Sequence, residues 1–369
     1  MPIKPCYNHF MKKINWLLIT PYLVFISYFI LSTSEQNFLI SFIECVVLAV
    51  AIMVSVYHAE EIAHDIGEGL GALVLALSVT VIEVGLILTL MSTGKGETST
   101  IARDTVFSAV MIVCNGIVGI CILLGGLKYK EVGFQFRGAN SLLMVLISLS
   151  VFCFVLPNYT TSVHGPYYST SQLIFVSVIS VLLYLALVLT QTKTHKYYFE
   201  SEQEIPINHE GHSQHGLLSR KVLVHFAALV IGLVSVIVFS KLIAPLIESG
   251  VEKAGAPKAI VGLLIATIVL LPEAITAILA ARQNRIQTSL NLALGSGAAS
   301  IALTIPVVSA YSIWNSQTLA LGLDPKGMVF LILTFITGAL TLGNGRATAL
   351  QGFVHLVIMI AYFAVTLVP

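Results

Sequence analysis

Eleven long apolar runs divide this chain, at about 16–31, 39–57, 70–91, 104–125, 139–156, 171–190, 222–243, 259–281, 287–310, 327–342 and 349–368. Each is long enough for a helix that crosses or nearly crosses a bilayer, where every backbone polar group must be satisfied within its own segment. Strands of a membrane barrel would alternate apolar and polar every second residue, and these runs do not. The fold class is therefore all-α integral membrane protein. Composition agrees: 57% of residues are hydrophobic and 10% charged, where soluble domains carry about 25% charged residues.

Thirteen of the nineteen Lys and Arg residues fall on one side if the chain starts inside, which favours a cytoplasmic N-terminus. Lys12 and Lys13 before Trp16–Leu31 give the outline of a signal peptide, but the exit LSTSEQ offers no small-x-small cleavage site, so this run reads as a retained first span. The organisation predicted is an N-terminal cytoplasmic segment with the first helix (1–38), a first transmembrane repeat (39–190), a cytoplasmic acidic and His-rich loop (191–221) and a second repeat (222–369). A net charge of +1 gives no case for nucleic acid. Four of the five cysteines, Cys45, Cys114, Cys121 and Cys153, fall in or beside spans and read as small apolar packing residues; Cys6 lies before the first span. The bilayer, inorganic cations and protons are the partners this predicts, with no resident cofactor.

Glu44 falls near the start of its apolar run and reads as interfacial, whereas two glutamates lie deep in theirs: Glu83 in GALVLALSVTVIEVGLILTL and Glu273 in AIVGLLIATIVLLPEAITAILAA. An ionised group at that depth costs roughly 2.5–3.5 kcal/mol on insertion scales, which makes each a functional candidate by default. Each segment is followed by a polar-spotted helix, SAVMIVCNGIVGI from Ser108 and SLNLALGSGAASI from Ser289. In this register Ser108 pairs with Ser289, Asn115 with Ser296, Gly116 with Gly297 and Ile120 with Ile301. An odd number of spans separates the copies, so they enter the membrane from opposite sides. The expected architecture is one N-terminal helix plus two inverted five-helix repeats, with a site at their midplane.

A carboxylate in a low dielectric must hold either a proton or a cation, and two of them supply the charge that a divalent ion needs. Hydroxyls, amides and carbonyls would complete a shell of six to eight oxygens suited to Ca²⁺. The candidates are Ser78 and Thr80 near Glu83, Thr276 near Glu273, and Ser108, Asn115, Ser296 and Ser300 on the partner helices. For Ser78, Thr80 and Thr276 a bond back to the helix's own carbonyl is an equal alternative. Pro272, before Glu273, is expected to kink or interrupt its helix. His225 and His355 read as packing or interhelical hydrogen-bonding residues rather than proton relays.

The segment His58, Glu60, Glu61, His64, Asp65, Glu68 lies before the third span, where acidic residues at a cytoplasmic entrance would raise local cation concentration. A solvated turn is the alternative. The loop Gln191–Lys221 carries Glu200, Glu202, Glu204, Glu210, His195, His209, His212 and His215 and reads as a linker, or less readily as a pH or metal sensor.

Three stretches, HAEEIAHDIGEGLGALVLALSVTVIEVGLI from His58, RDTVFSAVMIVCNGIVG from Arg103 and LLPEAITAILAARQNRIQTSLNLALGSGAASIALTIPVV from Leu270, resemble the calcium/cation antiporter superfamily, in its bacterial ChaA-like calcium/proton exchanger branch. The resemblance implies Glu83 and Glu273 as the central cation- and proton-binding carboxylates, and Ca²⁺ leaving the cytoplasm as H⁺ enters, in a bacterial inner membrane. Much of the superfamily carries Gly-Asn three to four residues before each glutamate. Here Val79 and Thr80, and Val269 and Leu270, stand there, which keeps Na⁺ or K⁺ exchange open beside Ca²⁺. Other classes fit less well. There is no GxxxxGK[ST] for nucleotide, no HExxH and no pair of mid-span aspartates for an intramembrane hydrolase, and a passive channel would not need an internally duplicated chain.

Overall fold

A computed structural model describes residues 16–33, 38–66, 68–93, 98–199 and 219–368. Its helices are α1 (Trp16–Leu31), α2 (Phe38–Ile66), α3 (Glu68–Thr93), α4 (Ile101–Tyr129), α5 (Phe136–Tyr159), α6 (Thr170–Thr194), α7 (Arg220–Lys253), α8 (Ala259–Arg282), α9 (Ile286–Trp314), α10 (Pro325–Leu342) and α11 (Ala349–Leu367). Ten of them are long and apolar enough to span a membrane, and α1 is a shorter apolar helix. The molecule is an all-α integral membrane protein, with large apolar side chains such as Phe175, Leu182, Ile332, Leu340 and Ile360 exposed where lipid would lie.

Helix ends follow local chemistry. The α6 N-terminus carries a capping box of Ser169 and Gln172, and Asp324 Oδ1 accepts from the Gly327 amide ahead of Pro325 at the start of α10. Asn284, at φ 63°, turns the chain sharply from α8 into α9. Among the described residues, four helices contain a wider π-helical stretch: Ile112–Ile117 in α4, Val151–Val155 in α5, Thr190–Thr194 in α6 and Ser300–Thr304 in α9. In contrast, α8 runs through Pro272 as continuous α-helix, so the interruption expected there is not present. A proline removes a single donor, and one lost bond does not break a 24-residue helix held by its neighbours.

Helices α2–α6 and α7–α11 are the two five-helix halves. Since each half crosses five times, the second begins on the side where the first ends, and the halves are inverted. Loop pairing carries the same relation. Strand β1 (Glu131–Gly133), between α4 and α5, pairs antiparallel with β2 (Arg346–Thr348), between α10 and α11. Tyr167, between α5 and α6, bridges Ala320, between α9 and α10. Exchanging the halves maps one pairing onto the other.

The chain forms two compact units. The first comprises residues 1–78 and 213–243, hence α1, α2 and most of α7. Here Ala59 and Ile62 of α2 pack with Val222 and Leu229 of α7, and Gly232 lets α7 come close to Ser55, whose Oγ a Cβ there would meet at 2.4 Å. The second comprises residues 79–212 and 244–369 and holds α4–α6, α8–α11 and the greater part of α3. Within it, glycines set the helix crossings. A Cβ on Gly126 or Gly352 would lie 2.4 Å from the backbone nitrogen of Ala349 or Leu123, which fixes α4 against α11. Gly262 does the same for α8 against Asp104 and Thr105 of α4.

Candidate exchange site

Both glutamates belong to the second unit, and both are buried, Glu83 at 3% and Glu273 at 6% exposure. Glu83 sits on α3. Its Oε1 accepts a hydrogen bond from Ser300 Oγ at 2.6 Å and its Oε2 accepts one from Thr304 Oγ1 at 3.0 Å. These two hydroxyls are the first and last residues of the π-helical stretch of α9. π-helical turns recur at functional sites because they re-aim side chains without ending the helix. Glu273 sits on α8, which packs against α4 and α9. Each glutamate helix therefore meets the third helix of the opposite half.

The remaining candidates divide into four groups. Ser300 contacts the Glu83 carboxylate. Ser78 and Thr276 donate to carbonyls of their own helices, Val74 O at 2.7 Å and Pro272 O at 3.1 Å, which is the ordinary use of an intramembrane hydroxyl; Thr276 is also exposed. Thr80 is buried three residues before Glu83, and Ser296 is half-buried one turn before Ser300. Ser108 and Asn115 lie on one face of α4 and bond elsewhere. Ser108 Oγ pairs with Tyr362 Oη at 2.8 Å. Asn115 Nδ2 donates to Thr334 Oγ1 at 2.8 Å, and Asn115 Oδ1 faces His355 Nδ1 at 3.1 Å. His355 Nε2 in turn meets Thr341 Oγ1 at 3.1 Å. An amide oxygen only accepts, so Nδ1 carries the proton and Nε2 accepts from Thr341. That network ties α4 to α10 and α11 and occupies the amide that sequence reasoning offered to a cation.

Thr304 was not among the sequence candidates. Its signal was its spacing of four from Ser300, which puts both on one helical face. His225 likewise bonds to a neighbouring helix: His58 Nδ1 and His225 Nδ1 are 2.9 Å apart in the first unit, with His58 Nε2 3.2 Å from Leu17 O. His58, grouped with the entrance residues by sequence, is fully buried there. Of the others in that segment, Glu60 is exposed, and Glu61 and Asp65 pair with Lys221 at 3.3 and 3.1 Å. His64 lies 3.7 Å from Asp65. All four lie in the last turns of α2, not in a loop. Glu68 begins α3, and its side chain is outside the described residues. So are Cys6, Glu200, Glu202, Glu204, Glu210, His209, His212 and His215. The described start of the long loop is docked on the second unit: His195 stacks on Tyr198, Arg137 donates to Tyr198 Oη at 2.8 Å, and Asn291 donates to Phe199 O at 2.6 Å. Cys114, Cys121 and Cys153 are buried, free thiols, and Cys45 is exposed.

The chain matches the family described as sodium/calcium exchanger protein over residues 37–193 and again over 224–368, one match in each half. It is 41% identical over 338 residues to the putative ionic transporter y4hA of Sinorhizobium fredii, covering 91% of this chain and 90% of that one. It is 35% identical over 308 residues to the sodium-potassium/proton antiporter ChaA of Escherichia coli, covering 83% of each. Among solved structures, that of native YfkE aligns at 19% identity over 96% of this chain and 100% of that one, with a TM-score of 0.71; it shares the fold. Two buried glutamates in duplicated, inverted halves and two matches to one family lead to a single assignment: the chain belongs to the sodium/calcium exchanger protein family, within the calcium/cation antiporter superfamily and its ChaA-like branch.

Proposed function

We propose that this protein is a secondary antiporter that moves Ca²⁺ out of the cytoplasm in exchange for protons, with Glu83 and Glu273 as the carboxylates that hold either proton or cation. It would reside in a bacterial inner membrane with its N-terminus in the cytoplasm. The observation that carries this reading is the burial of Glu83 with each oxygen facing a hydroxyl from the opposite half. A carboxylate so enclosed can exchange its positive partner without leaving its place. Hydroxyl oxygens can donate a hydrogen to the carboxylate and still present a lone pair to a metal ion. Glu273 would supply the second charge that a divalent ion requires. The entrance residues Glu60, Glu61, His64, Asp65 and Glu68 would gather cations on the cytoplasmic side.

A second reading, Na⁺ or K⁺ exchange for protons on the same carboxylates, is favoured by two observations. One is the 35% identity to a sodium-potassium/proton antiporter. The other is the absence of amides three to four residues before either glutamate, where Thr80 and Leu270 stand, together with the engagement of Asn115 by His355 and Thr334. Membrane potential adds about 2.3 kcal/mol per net charge per 100 mV, so it assists Ca²⁺ export only when more than two protons enter per ion, and Na⁺ or K⁺ export when more than one does. Purified protein in sealed vesicles, offered Ca²⁺, Na⁺ and K⁺ in turn, separates the readings. Proton movement opposite to Ca²⁺ supports the first, movement driven by Na⁺ or K⁺ alone supports the second, and ion flux with no proton movement sinks both.

A further inference from the structure

We propose that Thr304, acting with Ser300, is a positioning and specificity-determining residue of the exchange site: a two-hydroxyl clamp that fixes the Glu83 carboxylate and contributes oxygen to the transported cation. This rests on the reading of Glu83 as an exchange carboxylate.

The argument begins with how this chain uses hydroxyls inside its helices. Ser55, Ser78, Thr89, Thr105, Ser235 and Thr267 all donate to the carbonyl four residues back, at 2.7–2.8 Å. That is the default for Ser and Thr in an apolar helix, because the carbonyl is near and nothing else is. Ser300 and Thr304 depart from it. Both turn away from their own helix and donate to the two oxygens of a single carboxylate. Both are buried, at 5% and 0% exposure. The departure coincides with a π-helical stretch whose first and last residues are these two. A carboxylate bonded through both oxygens loses its rotational freedom, and hydrogen bonds to a charged acceptor are stronger than those between neutral groups.

The equivalent positions of α4 carry no such pair of hydroxyls. In the register that pairs Asn115 with Ser296, the partners of Ser300 and Thr304 are Gly119 and Leu123. Neither has a hydroxyl. A Cβ on Gly119 would come within 3.0 Å of His355 Cβ and 3.1 Å of Gly352 O, so that position serves the α4–α11 crossing instead. The α4 equivalents of Ser300 and Thr304 therefore cannot form the same clamp. Its hydroxyls cannot be replaced by symmetry-related ones, and their removal reduces the oxygen count around the cation from one side alone.

The test uses Thr304→Val, which keeps shape and removes the hydroxyl, Thr304→Ser, which restores it, and Ser300→Ala. Cation-driven proton flux is measured in sealed vesicles with whichever of Ca²⁺, Na⁺ or K⁺ the wild type transports. We expect Thr304→Val to raise the cation KM about tenfold with a smaller change in maximal rate, and Thr304→Ser to remain within about twofold of wild type. Ser300→Ala should act like Thr304→Val. In a Glu83→Asp background, whose carboxyl is one methylene shorter, Thr304→Val should add little, because the bond it removes is already broken. Equal KM values for wild type and Thr304→Val, or fully additive effects in the Glu83→Asp background, overturn the clamp. Glu83→Gln separates this from the underlying reading. If Glu83→Gln is inactive while Thr304→Val is normal, the clamp alone fails; if Glu83→Gln transports normally, the exchange-site reading fails with it.

Discussion

Helices α4 and α9 occupy equivalent places in the two halves, yet their polar residues end on different partners. On α4, Ser108 meets a tyrosine hydroxyl, and Asn115 meets a histidine and a threonine, all from α10 and α11. Every group in that network is neutral or can be, and each finds its complement. On α9, Ser300 and Thr304 end on a carboxylate from α3. The first arrangement is closed and serves to hold helices together; the second places two hydroxyls on the oxygens of an ionisable group. Of these two equivalent helices, one bonds an ionisable group directly and the other directs its polar side to packing.

The largest effect expected is on the glutamates. Glu83→Gln and Glu273→Gln should each reduce cation-driven proton flux at least 100-fold while the protein still inserts and purifies in normal amount. If either variant transports normally, the two-carboxylate exchange site is wrong. A smaller effect sharpens the contrast from the packing side. His355→Leu deprives Asn115 Oδ1 and the Thr341 hydroxyl of partners, and an unsatisfied buried polar group costs about 1–3 kcal/mol. The thermal midpoint in detergent should fall by several degrees with the cation KM of the surviving protein unchanged. A changed KM with an unchanged midpoint would move Asn115 and His355 into the exchange site. The smallest effect lies at the end of α2. Lys221→Met releases Glu61 and Asp65 from their shared partner, and exposed pairs of this kind contribute about 0–1 kcal/mol. Cation KM should drop about twofold at low ionic strength and return to the wild-type value in high salt, since screening removes the attraction. A KM insensitive to both changes would mean that the acidic end of α2 does not gather cations.

Much of this was legible in the chain before any coordinates. The eleven helices follow from hydrophobic run length, ten of them long and apolar enough to span a membrane, and Glu83 and Glu273 stood out because an acid at that depth needs a reason. Ser300 could be nominated from its place on the partner helix. Thr304 could not be singled out, because its spacing of four from Ser300 is a weak signal and its contact with Glu83 lies at the end of a π-helical stretch that composition does not announce. Nor could the fate of Asn115, whose partners Thr334 and His355 lie 219 and 240 residues away. Pro272 misled for the opposite reason. Its local rule is real, but one missing donor is outweighed by the packing of the surrounding helix on α4 and α9. Long-range partnership is set by which helices cross, and the crossings are set by glycines such as Gly126, Gly262 and Gly352, whose pairings become visible only in three dimensions.

The claim that one carboxylate pair holds protons and cations in turn is tested most directly without transport. Purified protein in a weakly buffered solution is titrated with the transported cation, and proton release is read from the pH. The account predicts release that saturates with cation binding in the wild type and falls away in Glu83→Gln and Glu273→Gln. Cation binding with no proton release in the wild type, or undiminished release in both variants, would contradict it.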